Sequence, residues 1–339
     1  GGDRTIRYYC HQCRHLERTV EAEPLKPCPI PDDLFENGKL DPNNPILTRS
    51  VGWEEFKEWV KKLPKGKSSG PDELTYEMWQ EAPEEMRELL WQAVNRVNAG
   101  GRFPVEWEGA YTKLLVKKAG EEGILESLRP VCLMNTAAKI ITGIWAHRLS
   151  VTLEAQGVLE DVQEGFRPER STKRQVIRLL SCINDAKREG KKLFVTFLDF
   201  ENYFNTISLN CLFELLRKFG MAEEDIQLLE GYYQNAYFQV VQENGNKTAR
   251  INLDRGLRQG CPLSPILGGV VVNALIRWLE SRGGGYKHSS GEEYNTLLFA
   301  DDGTLLTESK EAMQRLLNTV ESFSLWSGVK VNLRKSEIS

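Results

Sequence analysis

No stretch of eighteen consecutive apolar residues occurs in the 339-residue chain, so no segment reads as a membrane-spanning helix and no membrane partner is expected. A basic, apolar, small-residue leader is missing as well, so no secretory signal is expected. Internal repeats and low-complexity tracts are absent. The seven cysteines (Cys10, Cys13, Cys28, Cys132, Cys182, Cys211 and Cys261) are odd in number and scattered. They make a poor disulfide framework and point to a reducing, intracellular compartment. Nor is either charge in marked excess. Forty-four basic against forty-eight acidic residues leave −4, which as a bulk figure argues mildly against a nucleic-acid partner. What is present, 40% apolar and 27% charged residues, describes a globular chain with enough apolar material for one large core or two to three lobes.

Cysteine clusters only once, in Cys10-His11-Gln12-Cys13-Arg14-His15, with Cys28 beyond it. Cys10, Cys13, His15 and Cys28 could supply the four ligands of a tetrahedral zinc site. The alternative is a fragment of a larger module, because a single Cys-x-x-Cys has no matching partner. Residues 26–50, rich in Pro, Asn and Asp, read as a linker. Helices are expected over 53–63, where Trp53, Phe56, Trp59 and Val60 share a face, and over 74–98, 136–155, 172–189, 209–219, 265–281 and 309–327. Strands are expected over 109–118, 193–198, 295–299, 304–307 and 329–333, with a hairpin of 237–241 against 248–251 about Asn244-Gly245-Asn246. Strands and helices mix without regular alternation, so the class is α+β rather than doubly wound.

Three carboxylates carry the chemical interest. Asp199 ends the apolar run Leu193-Phe194-Val195-Thr196-Phe197-Leu198, and Asp301-Asp302 sit at a strand-turn-strand tip. Taken singly each has a plain structural reading, since Asp302-Gly303 is a favoured hairpin turn and Asp199 could cap one. Both clusters, however, ride on the most apolar strands of the chain, where uncompensated carboxylates are costly unless a cation neutralises them. Two such clusters on neighbouring strands can hold a pair of Mg²⁺ ions about 3.5–4 Å apart. Gly66-Lys67-Ser68 is not a phosphate-binding P-loop, because the glycine required five residues earlier is Lys61.

Six segments in order carry a resemblance: Leu128-Arg129-Pro130-Val131-Cys132-Leu133-Met134-Asn135, Gln163-Glu164-Gly165-Phe166-Arg167-Pro168, Phe197-Leu198-Asp199-Phe200-Glu201-Asn202-Tyr203-Phe204, Gly256-Leu257-Arg258-Gln259-Gly260-Cys261-Pro262-Leu263-Ser264-Pro265, Phe299-Ala300-Asp301-Asp302 and Gly328-Val329-Lys330-Val331-Asn332. Together they resemble a reverse transcriptase, most closely of the non-LTR (LINE-type) retrotransposon branch. The likeness covers about residues 50–339, because Gly66-Lys67-Ser68-Ser69-Gly70-Pro71-Asp72 is similar to the fingers extension of these elements.

The resemblance implies the fingers and palm of a right-hand polymerase, an antiparallel palm sheet flanked by helices, with the thumb outside these residues. It divides the chain into an N-terminal stub (1–30), a linker and fingers extension (31–108), fingers (109–195) and palm (196–339), interleaved around 220–260. It implies an RNA template, a DNA primer or target DNA, dNTPs and two Mg²⁺ as partners, with priming on a nicked target and, for a eukaryotic element, a nuclear location. Asp199 and Asp301 resemble the shared metal ligands, with Asp302 supporting and the Phe200 carbonyl a further ligand. Phe204, beside Tyr203, falls where the family keeps an aromatic gate against a 2′-OH. Gln259-Gly260 resembles the loop that meets nucleotide and template. Arg129 resembles the arginine that holds the triphosphate, for which a guanidinium fork is suited, with Lys117 or Lys118 as its partner. Lys335, seven residues past Gly328, resembles the lysine that protonates pyrophosphate.

This chain has Asn205 where the family often has an acid, and Cys261 where Asp, Ser or Ala is common; in the family's pattern neither position is a metal ligand. From Gln163 to Lys192 nine basic residues stand against four acids. Arg167, Arg170, Lys173 and Arg174 are therefore expected to line a phosphate-tracking surface beside Phe166. The alternatives are a group II intron maturase-like or other RNA-templated polymerase, and an inactive polymerase fold that serves as an RNA-binding scaffold.

Overall fold

A computed structural model describes residues 26–116, 128–241, 245–332 and 336–338. In chain order, a 3-10 turn at Asp32–Phe35 is followed by α1 (Trp53–Lys61), α2 (Tyr76–Glu81), α3 (Glu84–Asn98), α4 (Val105–Glu108), β1 (Gly109–Val116) and β2 (Leu128–Met134). Next come α5 (Thr136–Ala155), α6 (Thr172–Glu189), β3 (Phe194–Leu198), β4 (Phe200–Glu201), α7 (Tyr203–Thr206), α8 (Leu209–Lys218) and α9 (Glu223–Gln234). The remainder is β5 (Tyr237–Val240), β6 (Ile251–Asn252), α10 (Ser264–Ser281), β7 (Tyr286–Lys287), β8 (Glu293–Tyr294), β9 (Thr296–Phe299), β10 (Asp302–Thr307), α11 (Lys310–Ser327), β11 (Lys330–Val331) and β12 (Glu337–Ile338). No helix among the described residues is long and apolar enough to cross a membrane.

Two four-stranded sheets organise these elements. The first has the order β2-β1-β5-β6, with β5 parallel to β1 and the other pairs antiparallel. The second, β12-β3-β10-β9, is antiparallel throughout. Helices α5 and α10 are buried on nearly every face, as their lack of a polar stripe requires. One continuous apolar cluster runs from Ile30 through Trp145, Leu215 and Val271 to Val329 and joins both sheets.

The expected helix over 74–98 is two helices, because Pro83 removes a backbone donor and holds Ala82 extended (ψ 147°) between them. Helix α9 is additional to the sequence reading. Glu223, Glu224 and Asp225 in its first turn suit a helix N-terminus, while Ile226, Leu229 and Tyr233 face the core. The stretch read as a linker is instead packed down: Phe35, Leu40, Ile46 and Leu47 are buried. Two buried charges fasten it. Asp225 accepts the N–H groups of Ile46, Leu47 and Thr48 at 2.5–2.9 Å. Arg277 donates to the carbonyls of Leu34 (3.0 Å), Asn37 (2.7 Å), Gly38 (3.3 Å) and Val158 (2.8 Å), and pairs with Glu160 at 2.8 Å.

Candidate functional site

The second sheet brings the separated acids to one end. Strand β3 lies between β12 and β10, and its ladder with β10 closes on the pair Leu198–Gly303. One step beyond that pair stand Asp199 and Asp302. Asp301 occupies the turn between β9 and β10, next to Ala300, whose φ of +58° is in the left-handed region. The Asp301 carboxyl is half-buried and pushed above the usual carboxylate range, first by burial and then by the negative charges of Asp302 and Asp199. Asp199 and the Asp301-Asp302 pair, 102 positions apart in sequence, thus share one electrostatic site.

Asn332, just after β11, holds Asp199 at two points. Its N–H donates to the Asp199 carbonyl at 2.7 Å, and its Nδ2 donates to the carboxylate at 2.9 Å. The Asp199 N–H in turn donates to Ser336 Oγ at 3.4 Å. Asn332 belonged to a recognised segment, yet only the tertiary pairing of β11 with β4 reveals what it touches. Phe200 lies in β4, buried, with Val331 as its ladder partner.

An aromatic wall stands beside the acids. Tyr203 is buried, donates its hydroxyl to the Gly268 carbonyl at 2.7 Å and has its phenol raised by burial and by Asp301. Phe204 is half-buried and packs edge-on against Tyr203 (ring centroids 5.3 Å apart) and Phe166 (5.8 Å). Gly268 makes room for it, since a Cβ there would stand 2.8 Å from the Phe204 ring. The loop 256–260 hangs from this wall: the Leu257 N–H donates to the Phe204 carbonyl at 2.6 Å, and Gln259 Nε2 donates to Asn205 Oδ1 at 3.0 Å. Gly260, at φ +85°, lies so close to β2 that a Cβ would come within 2.3 Å of the Cys132 carbonyl. Its small size therefore serves the close approach of the 256–260 loop to β2. Arg258, to which the sequence reading gave no role, is 4% exposed and donates to the Glu108 carbonyl at 2.7 Å.

Arg129 is the ladder partner of Leu115 in the first sheet. Lys117, Lys118 and Lys335 lie outside the described residues, as do Cys10, Cys13 and His15. Cys28 is partly buried against the core, and burial raises its thiol pKa.

The basic stretch departs from the expected phosphate-tracking surface. Arg167 has a side chain only 5% exposed and forms a fork with Glu154 (2.6 and 2.7 Å), while also donating to the carbonyls of Glu160 (2.7 Å) and Gln163 (2.9 Å). Arg170 contacts Asp161 at 2.8 Å and Glu164 at 3.4 Å. Arg174 and Arg178 approach the same fully buried Glu164 carboxylate at 3.3 and 3.4 Å. Arg167 is a strut inside the fold and Arg170 is held in ion pairs at its edge; Lys173 and Arg174 remain on its surface. Counting charge along the chain could not distinguish these cases, because the partners are set by tertiary structure.

A hard divalent cation suits the acidic tip. Its donors are all oxygen, and a cation would offset both the burial and the acidic neighbours that raise Asp301. Among the described residues no three Asp, Glu, His or Cys side chains form a ready-made metal cage.

Residues 116–339 match the family model described as reverse transcriptase (RNA-dependent DNA polymerase). A Pol polyprotein from the type-1 retrotransposable element R2 of Nasonia vitripennis is 27% identical over 293 residues, covering 85% of this chain and 27% of that protein. A probable RNA-directed DNA polymerase from transposon BS of Drosophila melanogaster is 27% identical over 291 residues, covering 84% of this chain and 31% of that protein. The chain thus spans less than a third of either relative. Among solved structures, an apo telomerase from Candida tropicalis truncated from its C-terminal domain shares the fold with a TM-score of 0.50 at 16% identity, over 80% of this chain and 58% of that one.

Proposed function

The chain belongs to the reverse transcriptase family, and from that premise we propose that it is the fingers and palm of an RNA-directed DNA polymerase of a non-LTR retrotransposon. The observation that carries this reading is the meeting of Asp199, Asp301 and Asp302 beside the Tyr203–Phe204 wall. In the reaction a primer 3′-oxygen attacks the α-phosphorus of a dNTP paired with an RNA template, and pyrophosphate leaves. Asp199 and Asp301 would hold two Mg²⁺, with Asp302 beside them and the Phe200 carbonyl as a further donor. Bound Mg²⁺ supplies charge neutralisation at the attacking and departing oxygens. The protein's own groups fix position. Asn332 holds the Asp199 carboxylate still, Phe204 closes the space a 2′-OH would need, and Gln259 is oriented by Asn205 toward the nucleotide and template. Arg129 with Lys117 or Lys118 grips the triphosphate, and Lys335 delivers a proton to the departing pyrophosphate. Lys173 and Arg174 are the basic residues of their stretch left on the surface for a nucleic-acid backbone. The template is the element's RNA, the primer a nicked target DNA, and the site of action the nucleus. A zinc ion on Cys10, Cys13, His15 and Cys28 is a separate proposal, tested by elemental analysis of wild type against Cys10→Ser.

Primer extension on an RNA template tests the central reading. Wild type incorporates dNTPs and Asp301→Ala does not; equal incorporation by both removes the metal assignment, and none by either leaves the scaffold reading. In the same assay Phe204→Val raises ribonucleotide use by ~10–100-fold, the selectivity a single apolar contact can give. Unchanged selectivity removes the gate.

A further inference from the structure

The segment Gln163-Glu164-Gly165-Phe166 lies against the catalytic turn in a way the reaction has not yet used. Residues 162–164 meet β9 through one isolated parallel bridge, Gln163 opposite Leu298: the Leu298 N–H donates to the Val162 carbonyl at 3.0 Å, and the Glu164 N–H donates to the Leu298 carbonyl at 3.0 Å. Gln175 of α6 secures this pairing by donating to the Val162 (2.5 Å) and Leu298 (2.9 Å) carbonyls. The bridge delivers Gln163, 1% exposed, to Ala300. There the carboxamide pairs with both backbone groups of one residue. The Ala300 N–H donates to Gln163 Oε1 at 3.1 Å, and Gln163 Nε2 donates to the Ala300 carbonyl at 3.2 Å. The Gly165 N–H also donates to Oε1, at 2.8 Å, so two fixed donors determine which way the amide faces.

Ala300 is one of five non-glycine residues at positive φ among the described residues, and it immediately precedes Asp301. An alanine in that conformation costs roughly 1 kcal/mol or more, so it persists only where its surroundings hold it. Gly165 presses from the same side, since a Cβ there would stand 2.0 Å from the Ala300 nitrogen. A residue buried this deeply cannot draw the replacement hydrogen bonds from bulk water.

We propose that Gln163 is a positioning residue for catalysis: its carboxamide clamps Ala300 in the left-handed conformation and thereby aims the Asp301 carboxylate at the metal-binding end of the sheet. Gln163 does not touch substrate; it acts through the Ala300 backbone. The inference rests on the polymerase reading, and it ties a motif at the β9 edge of the sheet to the geometry of the acid.

Steady-state primer extension with the full chain tests it, with thermal melting to show that each variant is folded. Gln163→Leu lowers kcat by ~10–100-fold, the scale of a misplacement of about 1 Å, while dNTP KM stays within about threefold. Ala300→Gly adopts the same φ without strain, so in the Gln163→Leu background it restores most of the lost kcat. Wild-type kcat in Gln163→Leu, or a double variant no faster than the single, overturns the proposal. Should Gln163→Leu not fold, Gln163→Glu keeps the accepted bonds and loses only the donor to the Ala300 carbonyl; a wild-type kcat there overturns it equally. The control separates the two readings. If Asp301→Ala is inactive and Gln163→Leu is not slowed, the positioning role alone fails; if wild type itself does not polymerise, the polymerase reading fails first.

Discussion

Two acids one strand apart live in opposite surroundings. Glu164 is fully buried and met by Arg170, Arg174 and Arg178 at 3.3–3.4 Å, with the Ser171 N–H at the same carboxylate. Asp301 is half-buried, and its carboxyl is raised first by that burial and then by two more acids, Asp302 and Asp199. A buried charge is tolerated when partners neutralise it and is expensive when they are its own kind. Glu164 therefore serves the fold, and Asp301 is kept at a cost to the fold that the proposed cation would relieve. The difference also explains why the basic residues near Gln163 say less about nucleic acid than their number implied.

The strongest way to break this contrast is Asp301→Asn. It should lower polymerisation by ~10³-fold, as loss of a metal-binding charge does, while leaving the urea midpoint of the metal-free protein unchanged or higher. A fall in stability equal to that of a core mutation would place Asp301 with Glu164. The converse variant, Glu164→Gln, should lower stability by ~2–3 kcal/mol because three guanidiniums lose their shared partner; the figure is below that of a fully buried pair since Arg174 is half-exposed. Retained stability would mean the arginine cluster is held by solvent alone. A third measurement alters neither acid. Mg²⁺ at tenfold its Kd should stabilise wild type by ~1.4 kcal/mol and Asp301→Asn by less, read as a shift in melting. An equal shift in both would move the cation elsewhere. The smallest effect is expected from Arg174→Ala, within ~1 kcal/mol, because Arg170 and Arg178 still meet the carboxylate.

The reach of the sequence differs between the two acids for the same reason. Asp301 was legible because local patterning sufficed: apolar runs on either side, an Asp-Gly turn and a second acid at the end of another apolar strand. Their convergence follows from one antiparallel ladder, β3 against β10. The α+β class and most helices were equally legible from periodicity. Glu164 and Arg167 were not, because nothing within a few residues announces that Glu154, at the end of α5, claims the Arg167 guanidinium. Asn332 and Gln163 were similarly hidden. Each stood in a recognised segment, but what they hold lies 133 and 137 residues away. Helix α9 escaped because Gly231 and the paired tyrosines weaken its helix propensity, while burial of Tyr232 and Tyr233 decides the outcome.

The parallel pairing of β5 with β1 bears on how the protein is made. Strand β1 exposes an edge as soon as it leaves the ribosome, and its partner is synthesised roughly 120 residues later, about 6–24 s at ordinary elongation rates. Throughout that interval the nascent chain carries an unpaired strand edge next to apolar helices still without their core. Expression of the first half alone should therefore yield aggregate, and slowing of synthesis between the two strands should raise the demand for chaperones.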